Sequence, residues 1–262
     1  MSDPETQDQT MYEFYRRYYA AVQTSQAHAV FCEQAYGENL CQHGFMDREQ
    51  FDYLLDALQL ATGEKVLELG CGNGMVAERI SDRTGAHIMG IDYIPEAIRQ
   101  ANERTSEKRA RLVFEVGDIG KLDFPPGAFD VMLSVDTLYF NDLTQTLEQS
   151  KQMLHAGGRM GIYYTHGIWE DPSYPPESLL PDQTPLAEAL LRLDLPFEWR
   201  DFTRQDHDLA ERKIAALERL KPVFEAEGNQ FLYDNRIAES HGQKKFTEQG
   251  TSRRYFYLVR IP

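Results

Sequence analysis

Short apolar runs alternate with helical periodicity through the middle of the chain. Val66-Leu67-Glu68-Leu69 predicts a buried parallel strand. It meets Gly70-Cys71-Gly72-Asn73-Gly74, and Met75 to Ile80 predicts the start of a helix. Further strands are predicted at His87 to Ile91, Leu112 to Val116, Phe129 to Val135 and Met160 to Thr165. Helices are predicted from Pro95 onward and over Leu143 to Leu154, where the Gly157-Gly158 turn follows. Strands alternating with helices at this spacing predict an α/β fold with a parallel sheet. Upstream, residues 1 to 10 are polar and predicted disordered, Met11 to Phe31 is aromatic and helical, and Arg48 to Leu60 predicts another helix. Downstream, Pro172, Pro175, Pro176, Pro181 and Pro185 forbid a regular helix across the segment from Glu170 to Pro185. Leu186 to Leu193 predicts a short helix, Phe197 to Thr203 a sixth strand and Arg254 to Ile261 the last. Between those strands, Arg204 to Ser252 predicts a long helix over Leu209 to Glu227, bent near Pro222 and ended by Gly228, and a shorter one over Phe231 to Glu239.

The strand, glycine turn and helix frame a nucleotide-like ligand, because glycine permits a tight turn and close approach to the main chain. A dinucleotide fingerprint runs G-x-G-x-x-G. Here the pattern is Gly70-x-Gly72-x-Gly74, and Met75 stands where the third glycine would be. Glu68, just before the turn, would repel a pyrophosphate and suit an ammonium group. S-adenosylmethionine (SAM) has an amino-acid tail, a sulfonium and no phosphate. Asp92 ends the second strand, where a carboxylate can accept from both ribose hydroxyls; the other reading is a helix N-cap ahead of Pro95. Asp118 follows the third strand and can accept from an adenine amino group, with Ile119 against the ring.

Glu68 to Gly74, Asp92, Asp118 and Leu154-His155-Ala156-Gly157-Gly158-Arg159 resemble the ordered motifs of class I SAM-dependent methyltransferases over residues 63 to 165. The resemblance implies an α/β, doubly wound, mostly parallel seven-stranded sheet in the order 3-2-1-4-5-7-6, with helical lid elements. It implies SAM as cofactor, with S-adenosylhomocysteine as product. Glu68, Gly70, Gly72 and Gly74 then surround the methionine end, Asp92 takes the ribose, and Asp118 with Ile119 takes the adenine. Cys71, Tyr93, Val135, His43 and Tyr15 complete the cofactor-binding candidates. His43-Gly44-Phe45 looks like a loop that such small-molecule enzymes place over SAM; a hydrogen-bonded histidine at a loop junction is the alternative.

The chain then divides into a helical cap (1–62), a Rossmann-like SAM-binding core (63–166), and a third part (167–262) holding the proline loop, the last strands and a lid insert (204–252). Ligands of open α/β sheets sit at the carboxyl ends of strands. Asp136 and Tyr139, after the fourth strand, are therefore substrate-side candidates, and Tyr139 alternatively packs on the next helix. His166 and Trp169 lie past the fifth strand, and His166 is a candidate general base or a loop hydrogen-bonder. Tyr233, Arg236 and His241 of the insert are possible pocket residues, with packing or surface roles the favoured alternative for each. Their roofed pocket suits a small molecule.

Composition narrows the partners. With 27 basic against 42 acidic residues, the net charge is −15 over 262 residues. That balance disfavours nucleic acid, which needs basic patches. It either draws cationic substrates or serves solubility alone. Three scattered cysteines without C-x-x-C predict neither a disulfide framework nor a metal site, and fit a reducing cytoplasmic compartment. The N-terminal segment reads as no signal peptide and no apolar run as a membrane span. The expectation is a monomeric or homodimeric SAM-dependent transferase acting on a small-molecule acceptor, an amine in preference. A phenol, acid or lipid-like O- or C-acceptor is the alternative, and a non-catalytic SAM-binding module the second.

Overall fold

The computed structural model describes residues 4–168 and 173–262, with only the backbone given for 4–9. Trp169 and residues 170–172 of the predicted proline loop lie outside the described residues. The strands are β1 (Lys65–Leu69), β2 (His87–Asp92), β3 (Leu112–Val116), β4 (Phe129–Val135), β5 (Leu154–Gly167), β6 (Phe197–Asp201) and β7 (Ser252–Arg260). They form one seven-stranded sheet in the order β3-β2-β1-β4-β5-β7-β6, as the resemblance implies. β1 to β5 pair in parallel, and β7 runs antiparallel between β5 and β6.

Alternation along the strands builds two cores. Val66, Val131 and Leu133 face one layer, where α3 (Arg48–Leu58), α4 (Met75–Thr84) and α5 (Pro95–Arg104) supply Phe51, Leu54, Ile80 and Ala101. Leu67, Leu69 and Met132 face the other, against α6 (Leu143–Met153) and α7 (Pro185–Arg192) through Leu147 and Leu190. Register aligns the functional edge. Leu69 is level with Ile91 and Ser134, so Gly70, Asp92 and Val135 come level at the carboxyl edge.

A third cluster joins α1 (Pro4–Val22), α2 (Gln26–Tyr36), α8 (Thr203–Ala226) and α9 (Gln230–Glu248) through Tyr18, Phe31, Leu217, Phe224 and Leu232. Several expected boundaries move here. The backbone is helical from Pro4, where a disordered tail is predicted. The predicted run from Met11 to Phe31 is two helices, because Ser25 caps α2 by accepting from the His28 amide at 3.1 Å. Glu227 fixes this break, accepting from the Ser25 hydroxyl at 2.6 Å and the Ala27 amide at 2.8 Å. α8 starts at Thr203, six residues before the predicted Leu209, and continues through Pro222. α9 extends to Glu248, and β5 begins at Leu154, ahead of the glycine pair. No helix among the described residues is long and apolar enough to cross a membrane. Cys32, Cys41 and Cys71 are free thiols.

Candidate active site

The glycine turn leaves β1 with Gly70, Gly72 and Gly74 all in left-handed backbone. At Gly72 the requirement is double, since φ is +55° and a Cβ would stand 2.3 Å from the Tyr19 hydroxyl oxygen. Asp92 braces the turn from β2. Its Oδ2 accepts the Gly72 amide at 2.8 Å and its Oδ1 the Ile94 amide at 2.9 Å. The N-cap position of α5 belongs to Ile94, so Asp92 stands outside the helix with lone pairs left on both oxygens.

Glu68 is 3% exposed, and its Oε2 has no hydrogen-bond partner. Burial, then the neighbouring Asp92, pushes its carboxyl up to about 8. An orphaned buried carboxyl oxygen beside the glycine turn fits an ammonium-bearing ligand. A raised folded pKa means the folded state holds the extra proton. That contribution to stability is full below about 4.5, Glu68's ordinary value, and is lost as pH rises through about 8. Without cofactor, the melting temperature of the wild type should therefore fall from pH 5 to 9 more steeply than that of Glu68→Gln. The difference in stability slope is at most about 1.4 kcal/mol per pH unit. Parallel melting profiles would refute this ionisation.

Asp118 is exposed, with Oδ1 accepting the Gly120 amide at 2.8 Å and Oδ2 3.4 Å from Lys121 Nζ. Ile119 is buried in the second core. Cys71 is buried with its thiol toward the Gly72 carbonyl, and Val135 is half-buried against the first core. Tyr93 meets Tyr12 edge-on at 5.8 Å.

The cap contributes Tyr15 and His43. Rings of Tyr18, Tyr15 and Phe14 surround the imidazole at 4.9, 5.1 and 5.6 Å. Burial, then the Arg236 charge, lowers its pKa to about 4, and its Nε2 has no directed hydrogen bond. The loop carrying it is clamped at three successive residues. Arg236 Nη1 donates to the His43 carbonyl at 2.9 Å, the Tyr36 hydroxyl donates to the Gly44 carbonyl at 3.1 Å, and the Phe45 amide donates to Asp136 Oδ2 at 2.8 Å. Gly44 packs so closely that a Cβ would lie 2.6 Å from Asp136 Oδ2.

Asp136 is the hub of this edge. Its φ of +57° is left-handed, which costs a non-glycine residue roughly 1–3 kcal/mol. Arg254 of β7 grips it through both ends of its guanidinium, Nη1 to Oδ1 at 2.6 Å and Nη2 to Oδ2 at 3.1 Å. The Tyr139 hydroxyl also donates to Oδ1, at 3.0 Å, while accepting the Thr165 amide at 2.8 Å. Burial of its hydroxyl end, then the Asp136 charge, raises the Tyr139 phenol well above its ordinary range, although the ring stays open to solvent. Arg254 further donates to Gln50 Oε1 and Thr165 Oγ1, both at 2.8 Å. His166 stands apart from this hub, its Nε2 3.1 Å from Ser178 Oγ and its ring edge-on to Tyr174 at 5.2 Å, with burial lowering its pKa to about 4.

A second buried group lies in the insert. Lys213 Nζ and Arg236 Nη1 stand 2.7 and 3.0 Å from Glu239 Oε2. Burial pushes Glu239 up, but Arg236 and then Lys213 outweigh it and hold the carboxyl down at about 2. Tyr233 packs on Phe224, and His241 is exposed. Arg254, Lys213 and Glu239 have no place among the sequence candidates. Arg254 carries the one available signal, a cation sharing the inward face of β7 with Phe256 and Leu258, which must find a buried counter-charge.

A family model described as a methyltransferase domain matches residues 60–186. The chain belongs to the class I SAM-dependent methyltransferases. It is 32% identical over 151 residues to aklanonic acid methyltransferase DauC of Streptomyces sp. (strain C5), covering 56% of this chain and 67% of that one. It is 31% identical over 149 residues to 27-O-demethylrifamycin SV methyltransferase of Amycolatopsis mediterranei, covering 52% of this chain and 54% of that one. The chain thus spans roughly half to two thirds of these relatives' lengths. In fold it resembles a Haemonchus contortus phosphoethanolamine N-methyltransferase 2 solved with phosphomonomethylethanolamine and S-adenosylhomocysteine. The TM-score is 0.74 at 20% identity, over 94% of this chain and 60% of that one.

Proposed function

We propose that the protein transfers a methyl group from SAM to a small-molecule acceptor, and to an amine nitrogen in preference to a hydroxyl, acid or carbon. Glu68 would take the ammonium of the amino-acid tail. Gly70, Gly72 and Gly74, with Cys71, would admit that tail to the main chain. Asp92, already aimed by two amides, would accept from the ribose, and Asp118 with Ile119 would hold the adenine. Tyr93, Val135, Tyr15 and His43 would close the sides. The bound cofactor supplies an electrophilic methyl on a sulfonium, which leaves the protein chiefly the work of proximity and orientation.

The amine preference rests on one observation, the lack of a free strong base at the edge among the described residues. Asp136 accepts from Arg254, Phe45 and Tyr139 at once. The Tyr139 hydroxyl is committed to Asp136 and the Thr165 amide. His166 is engaged with Ser178. His43 keeps an unpaired ring nitrogen, but its basicity is low. Such a site orients a nucleophile that is competent once neutral, as an amine is, better than it ionises an alcohol. Asp136 and Tyr139 then act by position, holding the His43-Gly44-Phe45 loop against the sheet.

The test is transfer of label from isotopically labelled SAM into separate pools of amines, phenols and acids, read by mass spectrometry. Label is expected in the amine pool. Label confined to phenols or acids would replace the amine reading with O-methylation and make His43 the first residue to mutate. Cofactor binding without label in any pool would sink the amine reading and leave a carbon acceptor, a macromolecular substrate or a silent SAM-binding module.

A further inference from the structure

A chain of aromatic rings crosses the carboxyl edge of the sheet. Tyr15 meets Phe140 edge-on at 6.1 Å, Phe140 meets Tyr139 at 6.3 Å, Tyr139 lies tilted on Tyr164 at 5.0 Å, and Tyr164 stacks with His166 at 6.4 Å. The two central rings are open: Phe140 is 49% exposed and Tyr139 40%. Single exposed apolar residues are ordinary on protein surfaces, and here two aromatic ones adjoin. These adjoin each other at the end of β4, beside the exit of β1, where open α/β sheets hold their ligands. The polar end of Tyr139 is consumed inside the protein by Asp136 and the Thr165 amide, so the ring is what it presents outward. Phe140 has no polar atom to present. Tyr15, which also touches His43, walls the cap side.

We propose that Tyr139 and Phe140 form a shelf that seats a flat aromatic ring system of the methyl acceptor, which makes the acceptor class aryl-bearing amines. This rests on the amine reading above and adds the body that carries the nitrogen. A small planar ligand fits the shelf better than a protein partner does. Two such side chains offer at most roughly 500 Å², short of the about 800 Å² that each partner of a stable complex contributes. Ring edges and faces meeting at the centroid separations seen here are the geometry in which aromatic groups attract beyond simple area burial.

The test uses the whole chain saturated with S-adenosylhomocysteine. 2-Naphthylmethylamine is titrated by its fluorescence, and 2-(aminomethyl)decahydronaphthalene, its saturated counterpart with the same carbon skeleton and charge, by competition against it. The naphthyl amine should bind about 2- to 12-fold more tightly than the saturated amine. Phe140→Ala should remove most of that preference while leaving the affinity for S-adenosylhomocysteine unchanged. Equal affinity for the two amines, no saturable binding of the naphthyl probe, or a preference that survives Phe140→Ala each overturns the shelf. A dimer in sedimentation that Phe140→Asp dissolves also overturns it, in favour of a second copy as occupant. The amine reading is separated by running labelled SAM with 2-naphthol and 2-naphthylmethylamine side by side. Methylation of the naphthol alone, with the ring preference intact, refutes the amine and leaves the shelf standing.

Discussion

Gly72→Ala is expected to weaken SAM binding by at least about 100-fold, read by titration calorimetry. Two separable penalties produce this. An alanine at φ +55° is strained by roughly 1–2 kcal/mol. Its methyl would also stand 2.3 Å from the Tyr19 hydroxyl oxygen, and Tyr19 is held by the packed cap. Relief must come from the turn itself, which tilts the Gly72 amide off Asp92 and misaims the carboxylate proposed for the ribose. Adding Tyr19→Phe removes the closest atom and leaves the ring carbon at 3.2 Å, a contact that a shift of a few tenths of an ångström relieves. The double variant should regain part of the affinity, though not the share lost to backbone strain. Unchanged SAM binding in Gly72→Ala would refute the glycine turn as the cofactor's seat.

Arg254→Leu should lower the melting temperature by roughly 10 °C. Removing one partner of a buried ion pair costs about 3–5 kcal/mol, and each kcal/mol moves a chain of this size by about 2–4 °C. The loss is large because Arg254 and the Asp136 side chain are 0% and 6% exposed, so water cannot replace the missing guanidinium. Arg254→Lys should fall between, keeping the charge but not the two-pronged grip. Adding Asp136→Asn to Arg254→Leu removes the stranded charge and should return part of the stability. It should not return turnover, because the Phe45 amide and the Tyr139 hydroxyl would still have lost the carboxylate that fixes them. A melting shift below a few degrees in Arg254→Leu would mean that Asp136 does not depend on this partner.

What the sequence reveals follows from how far apart the interacting groups lie. β4 is legible to its ends, Phe129 and Val135, because an apolar run there is bounded by turn residues. The cofactor-side candidates Glu68, Asp92 and the glycines come together because each closes or follows a strand whose register is set by local apolar pattern. The substrate side is harder to see. Asp136 and Arg254 are 118 positions apart and Lys213 and Glu239 are 26 apart, and no periodicity marks either pairing. The same physics hides the length of α9. Its buried face carries Arg236, Ser240 and Gln243 beside Leu232, so the hydrophobic pattern fades at Glu239 although the helix continues. Ser25 breaks the first helical run by capping, an effect of one hydroxyl that the aromatic pattern around it masks.

The position of Arg254 also orders events during biosynthesis. Asp136, Phe45 and Tyr139 leave the ribosome long before the residue that unites them, and β7 emerges after β1 to β6 are already available to pair. Until it docks, β5 lacks its neighbour on that side and Asp136 lacks Arg254. Completion of the Asp136 hub thus waits for the synthesis of β7, and a nascent chain stopped short of β7 carries the glycine turn but lacks the Arg254 grip on Asp136.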